Sequence, residues 1–331
     1  MKILVTGSEG FIGSHLTEKL VLEGHSVRAL VQYNSFSNIG WLANISSKAL
    51  DEIDIVYGDI RDPFAMENAV SGCNAILHLA ALIAIPYSYI APRDYVETNI
   101  MGTLNVLMAS RKANVSSFLH TSTSEIYGSA QYVPIDENHP QVGQSPYSAS
   151  KIGADQIAIS FYKSFDFPVK IIRPFNTYGP RQSNRAVIPT IITQLANNQT
   201  NLRLGSLNPT RDFSYIEDTV DGFIAALQSR EGIGKATNLG SNFEISIADT
   251  VKIIAQTMDK EFTIENDDNR MRPAKSEVDR LWADNSKAKE TFGWHPHYAD
   301  EPGFREGIKR TVEWFTNAEN LKNYDHRKYT K

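Results

Sequence analysis

The sequence predicts an α/β protein built on a doubly wound parallel sheet, with a smaller, mostly C-terminal lobe. Three observations carry that expectation. Short apolar runs alternate with helical patterns through the first half, which requires right-handed crossovers between parallel strands. The first strand–helix turn, after Ile3, Leu4 and Val5, is marked by Gly7, Gly10 and Gly13. The 331 residues with 41% hydrophobic content suffice for one full core with a smaller partner lobe.

In chain order, Ile3–Val5 reads as a buried strand and Phe11–Glu23 as an amphipathic helix. Further strands are expected at Val27–Val31, Asp54–Tyr57, Ala75–Leu79, Phe118–Thr121 and Val169–Ile172, with helices at Pro63–Val70, Tyr95–Lys112 and Pro146–Phe165 between them. Ser145 suits an N-cap and Pro146 the first helical position. Beyond Pro174 the pattern loosens. Asn176–Arg181 reads as a loop, Val187–Asn197 as a helix, Thr237–Leu239 as a returning strand, and the chain from Ile245 as helical and polar with a charged loop at Asn266–Arg280. The domain expectation is a dinucleotide-binding part over 1–175 plus about 212–242, a substrate lobe over 176–211 and 243–315, and a frayed tail over 316–331.

Composition narrows the function classes. A net charge of −5 without a long basic run gives little electrostatic support for nucleic-acid or anionic-membrane partners. The single cysteine, Cys73, excludes an internal disulfide, fits a reducing compartment and reads by default as inert packing. No apolar stretch approaches the roughly 20 residues of a membrane helix, and Glu9 and the glycines interrupt the N-terminal apolar run, unlike a signal peptide. A cytoplasmic protein without a metal site is expected.

Ligands of such sheets bind at the carboxyl ends of the strands, so chemistry is sought there. At the first turn Gly7 permits the tight bend, Gly10 lets the backbone approach a pyrophosphate, and Gly13 lets the helix lie close, while the helix N-terminus offers N–H groups to phosphate. Three glycines alone could mark a mere strand–helix turn; behind an N-terminal apolar strand they favour a dinucleotide. Tyr147 and Lys151 fall one helical turn apart, so a Lys ammonium could favour the Tyr147 phenolate and make it a base near neutral pH. Taken alone, that pair is usually a solvated helix face. Thr121-Ser-Thr-Ser-Glu125 places hydroxyls and a carboxylate just after a strand, which otherwise reads as a Ser/Thr turn with Glu125 in solvent. Asn176 and Arg181 offer donors to sugar and phosphate, although single arginines more often form surface ion pairs. The second strand ends Gln32-Tyr33-Asn34 with neither an acid for the adenine ribose nor an arginine for a 2′-phosphate. NAD is thereby favoured over NADP, with Arg28 and Arg61 not far in sequence.

Gly7/Gly10/Gly13, Tyr147/Lys151 and Arg173–Arg181 together resemble the extended short-chain dehydrogenase/reductases that act on nucleotide sugars, over roughly Met1 to Trp314, whose sheet is of the Rossmann type. Ser122–Gly128 is similar to the 4,6-dehydratase signature, with Ser124 where many dTDP-glucose dehydratases carry Asp, as in GDP-mannose 4,6-dehydratases and UDP-glucuronate decarboxylases. Leu79–Ser88, Val142–Tyr147 and Thr210–Tyr215 resemble the NAD-dependent 4,6-dehydratases of the legionaminic acid pathway, of GDP-N-acetylglucosamine 4,6-dehydratase type.

That resemblance implies Tyr147, Lys151, Thr123, Ser124 and Glu125 as the catalytic set. It implies cofactor contacts from Gly7, Gly10, Phe11, Ile12, Gly13, Gln32, Asp59, Ile60, Leu79, Ala80, Ala81, Asn99 and Thr121 as well as Tyr147 and Lys151. Substrate contacts are implied for Asn176, Arg181, Val187, Arg211, Arg272 and Glu277, and a homodimer for the helices Tyr95–Lys112 and Pro146–Phe165, whose second apolar faces could instead pack within one subunit. The competing readings are a UDP-glucuronate decarboxylase, a nucleotide-sugar 4-epimerase and a catalytically silent NAD(H)-binding protein.

Overall fold

The computed structural model describes residues 1–324. Its strands are β1 (Lys2–Thr6), β2 (Ser26–Gln32), β3 (Ile53–Gly58), β4 (Ala75–His78), β5 (Ser117–Thr121), β6 (Val169–Pro174), β7 (Asn176–Tyr178), β8 (Asn201–Leu204), β9 (Thr210–Tyr215), β10 (Ala236–Leu239), β11 (Glu244–Ser246) and β12 (Thr263–Asn266). The helices of the first half are α1 (Phe11–Leu22), α2 (Ser47–Leu50), α3 (Pro63–Val70), α4 (Ile85–Ser88), α5 (Pro92–Tyr95), α6 (Thr103–Lys112) and α7 (Pro146–Phe165). Those of the second are α8 (Val187–Ala196), α9 (Ile216–Gln228), α10 (Ile247–Met258), α11 (Ser286–Phe292), α12 (Asp300–Thr316) and α13 (Ala318–Leu321).

Seven strands form one parallel sheet in the order β10-β6-β5-β4-β1-β2-β3. The central strands β4 and β6 are buried along their whole length, as a sheet covered by helices on both faces demands. The strand order reverses between β1 and β4, so a crevice opens above their carboxyl ends. A second sheet, β11-β9-β7, and a two-stranded β12-β8 pair lie in the C-terminal half.

Tertiary pairing altered three expectations. Asn176–Arg181 is not all loop, because Asn176, Thr177 and Tyr178 pair with Phe213, Ser214 and Tyr215. Tyr95–Lys112 is not one regular helix, since a wider π-type turn over Val96–Gly102 separates α5 from α6. The tail expected from 316 onward is folded to Tyr324: Asn317 caps α13 by accepting the Glu319 N–H, and Tyr324 stacks on Trp41 and donates to the Gln182 carbonyl oxygen at 3.0 Å. Residues 325–331 lie outside the described residues.

Candidate active site

The turn after β1 is built by steric necessity. Gly7 has φ +71°, and a Cβ there would lie 2.9 Å from the Ala80 backbone. A Cβ on Gly13 would lie 2.0 Å from the Gly7 carbonyl oxygen, so α1 can approach β1 only with glycine there. At Gly10 a Cβ would meet only the Gly7 oxygen, at 3.3 Å, and no side chain caps α1 at this position. The bare backbone faces a cleft of about 860 Å³ that runs across the carboxyl ends of the strands. Gly7, Gly10, Phe11, Ile12, Gly13, Gln32, Asp59, Ile60, Leu79, Ala80, Ala81 and Thr121 all line it. A pyrophosphate fits such a backbone cradle at a helix N-terminus.

The middle of the cleft holds the hydroxyl, amine and carboxylate groups expected from sequence. Ser145 caps α7 in a reciprocal box with Ser148, with Pro146 in the first turn, and this fixes the rotation that turns Tyr147 and Lys151 inward. Lys151 Nζ donates to the Thr121 carbonyl oxygen at 2.6 Å. The Tyr147 phenol is hydrogen-bonded to the Thr123 side chain, whose oxygen also accepts the Glu125 N–H at 3.2 Å. Thr123, Ser124 and Glu125 lie on the tight turn that leaves β5, and all three line the cleft.

The electrostatics depart from the expectation that Lys151 holds Tyr147 as phenolate. Burial pushes the Tyr147 phenol well above its ordinary value, and burial lowers Lys151 to about 8. The Lys151 ammonium is directed to a backbone carbonyl rather than to the phenol. In this geometry Tyr147 is protonated at neutral pH, and a further positive charge is needed to draw off its proton.

Behind these groups a buried polar network sets the floor of the site. Asp155 on α7 accepts from Ser122 Oγ at 2.8 Å and from Arg173 Nη2 at 3.2 Å. Arg173 Nη1 donates to the Tyr127 hydroxyl, which donates to Asn238 Oδ1. Burial raises the Asp155 carboxyl, but His120, Arg173 and Lys151 outweigh it and hold it below the usual range. The turn after β5, helix α7 and strands β6 and β10 are thus locked together directly under the cleft.

At the far end the C-terminal half contributes cations and one amide. Arg211, Arg272, Glu277, Asn176 and Val187 line the cleft. Arg272 stands 3.5 Å from Glu125 and 3.9 Å from Glu277, and Arg211 3.4 Å from Glu277. The buried side-chain oxygen of Asn176 has no hydrogen-bond partner. Asp212, beside Arg211, accepts from Ser241, Asn242 and Ala283 N–H groups and so ties β9 to the loop after β10.

A backbone cradle, a Tyr/Lys pair, a carboxylate and an arginine-lined end now lie in one cleft, and the profile of the GDP-mannose 4,6 dehydratase family matches residues 4–311. The chain belongs to this family. Among curated proteins, the human dTDP-D-glucose 4,6-dehydratase is 31% identical over 334 residues, covering 98% of this chain and 93% of the relative. A UDP-glucose 4-epimerase of Mycolicibacterium smegmatis is 32% identical over 325 residues, covering 96% and 99%. Among solved structures, the dTDP-glucose 4,6-dehydratase DesIV of Streptomyces venezuelae, with NAD bound, superposes with a TM-score of 0.87 at 28% identity, covering 99% of this chain and all of the other.

Two residues implied as ligand contacts in this GDP-mannose 4,6 dehydratase family member are placed elsewhere. Asn99 lies on the π-type turn and is turned inward. Its oxygen accepts the Leu82 N–H at 2.8 Å and its amide donates to Leu82 O and Ser150 Oγ, both at 2.9 Å. Its polar atoms are spent on shaping the loop after β4, not on lining the cleft. Arg181 is buried with φ +68° and pairs with Glu18 of α1 at 2.8 Å, outside the cleft lining. Its guanidinium also donates to Ser14 Oγ of α1, at 3.4 Å. Conversely, Arg185 and Arg270 line the cleft, as does Glu9, and sequence reasoning passed over all three. Arg185 lies two residues before Val187 and was legible by proximity; Glu9 was visible only as an interruption of the N-terminal apolar run.

Proposed function

We propose that the chain is an NAD-dependent nucleotide-sugar 4,6-dehydratase that converts a nucleotide-linked N-acetylglucosamine, GDP-linked first and UDP-linked second, to its 4-keto-6-deoxy form. The observation that carries the reading is the gathering of Tyr147, Thr123, Ser124 and Glu125 between a glycine cradle and an arginine-bearing wall in one cleft. The dTDP-glucose dehydratases among its relatives support the reaction. The N-acetylglucosamine substrate rests on the sequence stretches around Leu79, Val142 and Thr210. Residues 1–175 with about 212–242 hold the dinucleotide, and 176–211 with 243–315 the nucleotide sugar.

The glycine turn, Gln32, Asp59, Ile60 and the loop Leu79–Ala81 would hold NAD. When bound, NAD would accept the C4 hydride and, after water is lost, return it to C6 as C5 regains a proton, and its nicotinamide cation would supply the positive charge that the Tyr147 phenol lacks. Tyr147 takes the proton of the sugar C4 hydroxyl, while Thr123 hydrogen-bonds the C4 oxygen. The C4 ketone acidifies the C5 proton, which the Glu125 carboxylate removes, and hydroxide leaves C6 as water. Ser124 has no acidic proton near neutral pH, so the proton for the leaving hydroxyl comes from Glu125 or through a water that Ser124 relays. Arg211 and Arg272 present bidentate donors to the diphosphate.

Apolar residues on the outer faces of the turn before α6, of α6 and of α7 favour a homodimer: Val96, Met101, Met108 and Phe165 are each about half exposed. No helix of the described residues is long and apolar enough to cross a membrane.

The test is product mass after incubation with GDP-N-acetylglucosamine, UDP-N-acetylglucosamine and UDP-glucuronate in parallel. Loss of one water from an N-acetylglucosamine substrate is expected, with GDP faster. Loss of carbon dioxide from the glucuronate overturns the reading for a decarboxylase, and a C4 epimer of unchanged mass overturns it for an epimerase. Bound cofactor with no turnover on any donor would favour a silent NAD(H)-binding protein.

A further inference from the structure

We propose that Glu9, on the glycine turn, takes the place of the acid missing from the end of β2 and recognises the free 2′-hydroxyl of the cofactor's adenine ribose, so that NAD is accepted and NADP refused. The inference rests on the NAD-dependent reading of the cleft. Parallel dinucleotide-binding sheets ordinarily carry an acid at the end of the second strand for this hydroxyl, and here that strand ends at Gln32.

Glu9 reaches the same place from the opposite side of the crevice. Its Oε1 accepts the Gln32 N–H at 2.9 Å, which ties the carboxylate to the carboxyl end of β2. Its carbonyl oxygen accepts the Trp41 N–H at 3.0 Å, and a Cβ at Gly40 would lie 2.8 Å from the Glu9 Cβ, so backbone and stem are held on both sides. Glu9 and Gln32 both line the cleft, with Gly10 and Gly58 beside them. The second oxygen, Oε2, is buried and has no hydrogen-bond partner. Burial, opposed by the Gln32 N–H and by the N–H of Glu9 itself, pushes the carboxyl above its ordinary value. Such a group lacks a donor, and a ribose hydroxyl is one; a 2′-phosphate brings acceptors and negative charge instead.

The other ionisable groups at this end are committed. Asp59 receives Arg61 Nε on both oxygens, at 3.1 and 3.0 Å, and Arg61 Nη2 at 2.6 Å. Arg61, the basic residue lining this end among the described residues, is spent on that pair. Arg28 is directed to Asp54 and to the carbonyls of Ala69 and Ser71, away from the cleft. Glu9 is the acid left with an unused acceptor.

The experiment is equilibrium binding by calorimetry of NAD, NADP and the NAD analogue bearing 2′-deoxyadenosine to the full chain freed of dinucleotide, and to Glu9→Gln. The wild type is expected to bind NAD more tightly than NADP, and the 2′-deoxy analogue roughly tenfold more weakly than NAD, the worth of one hydrogen bond to a charged group. Glu9→Gln is expected to narrow the NAD/NADP ratio by about the same factor at an unchanged melting temperature. Equal affinity of the wild type for NAD and its 2′-deoxy analogue overturns the inference, as does an unchanged ratio in a folded Glu9→Gln. Should that variant not fold, the analogue measured on the unaltered chain decides. A chain that binds no NAD at all fails the dehydratase reading itself, which separates the two failures.

Discussion

At the scale of single residues, the groups in the cleft differ in what their removal should do. Tyr147→Phe and Glu125→Gln are each expected to lower turnover by about 10²–10⁴-fold, the usual worth of a positioned acid or base, with nucleotide-sugar affinity little changed. Steady-state kcat and KM measured separately check this, and near-wild-type turnover in Glu125→Gln would remove it from the mechanism. Ser124→Ala is a finer probe: if C4 oxidation persists while dehydration stops, read as reduced nicotinamide accumulating at 340 nm, Ser124 serves the elimination. Arg181 should behave oppositely to a ligand. Because it pairs with Glu18 under a buried turn, Arg181→Ala is expected to cost roughly 1–3 kcal/mol of stability by leaving that carboxylate unpaired, with KM for the nucleotide sugar unchanged. A raised KM at unaltered melting temperature would return Arg181 to the substrate site. These residues show how sequence spacing can mislead: Arg173–Arg181 leaves a strand where ligands bind, but the Arg181 guanidinium is taken up by Glu18 and Ser14 of α1.

At the scale of elements, the decisive contacts are between backbones. Helix α1 lies against β1 because Gly13 has no Cβ to meet the Gly7 carbonyl. Gly13→Ala therefore forces α1 outward, which is expected to abolish dinucleotide binding and destabilise the fold by about 1–3 kcal/mol through overpacking; calorimetric titration with NAD and thermal melting check both parts. The glycine pattern made that turn legible in the sequence, as the Ser145–Pro146 start of α7 made its register legible. The π-type turn before α6 was not legible. Its residues read as continuous helix, and the widened turn is fixed by the Asn99 carboxamide closing on Leu82 and Ser150, elements far apart in the chain. For the same reason β7 could not be read, since its three residues become a strand only by pairing with β9.

At the scale of the whole molecule, burial of histidines predicts an acid-sensitive fold. Burial lowers His15 to about 4, and also lowers His78 and His120 below their ordinary value. The unfolded chain takes up protons at these sites near pH 6.5 while the folded chain does not, so the histidine contribution to stability is complete above about 6.5 and falls as pH drops below it, opposed below about 6 by Asp212, whose carboxyl burial raises to about 6. Each histidine contributes up to about 1.4 kcal/mol per pH unit in that window. A melting temperature that holds from pH 8 to 7 and declines between 6.5 and 5 is expected, and a flat profile down to pH 5 would refute it. Self-association is the second whole-molecule expectation. Met101→Asp together with Met108→Asp on the exposed helical face should shift a dimer toward monomer in analytical ultracentrifugation, without altering the melting temperature of the isolated subunit by more than about 0.5 kcal/mol equivalent, as surface positions allow.

The sequence by itself determined the parallel sheet, the glycine turn after β1 and the start of the helix that carries Tyr147 and Lys151, because each rests on local rules. A glycine where a Cβ cannot fit, an N-cap before a proline, and a period of two or 3.6 residues are written within a few positions of one another. The tertiary structure alone decided what depends on distant partners. It turned Arg181 and Asn99 away from the cleft and brought Arg185 and Arg270 into it. It also directed the Lys151 ammonium to Thr121 O and set the carboxylate of Glu9 against the end of β2. A side chain's hydrogen-bond partner and its degree of burial are properties of the packed molecule, and they decide whether a charged group serves a ligand or the fold.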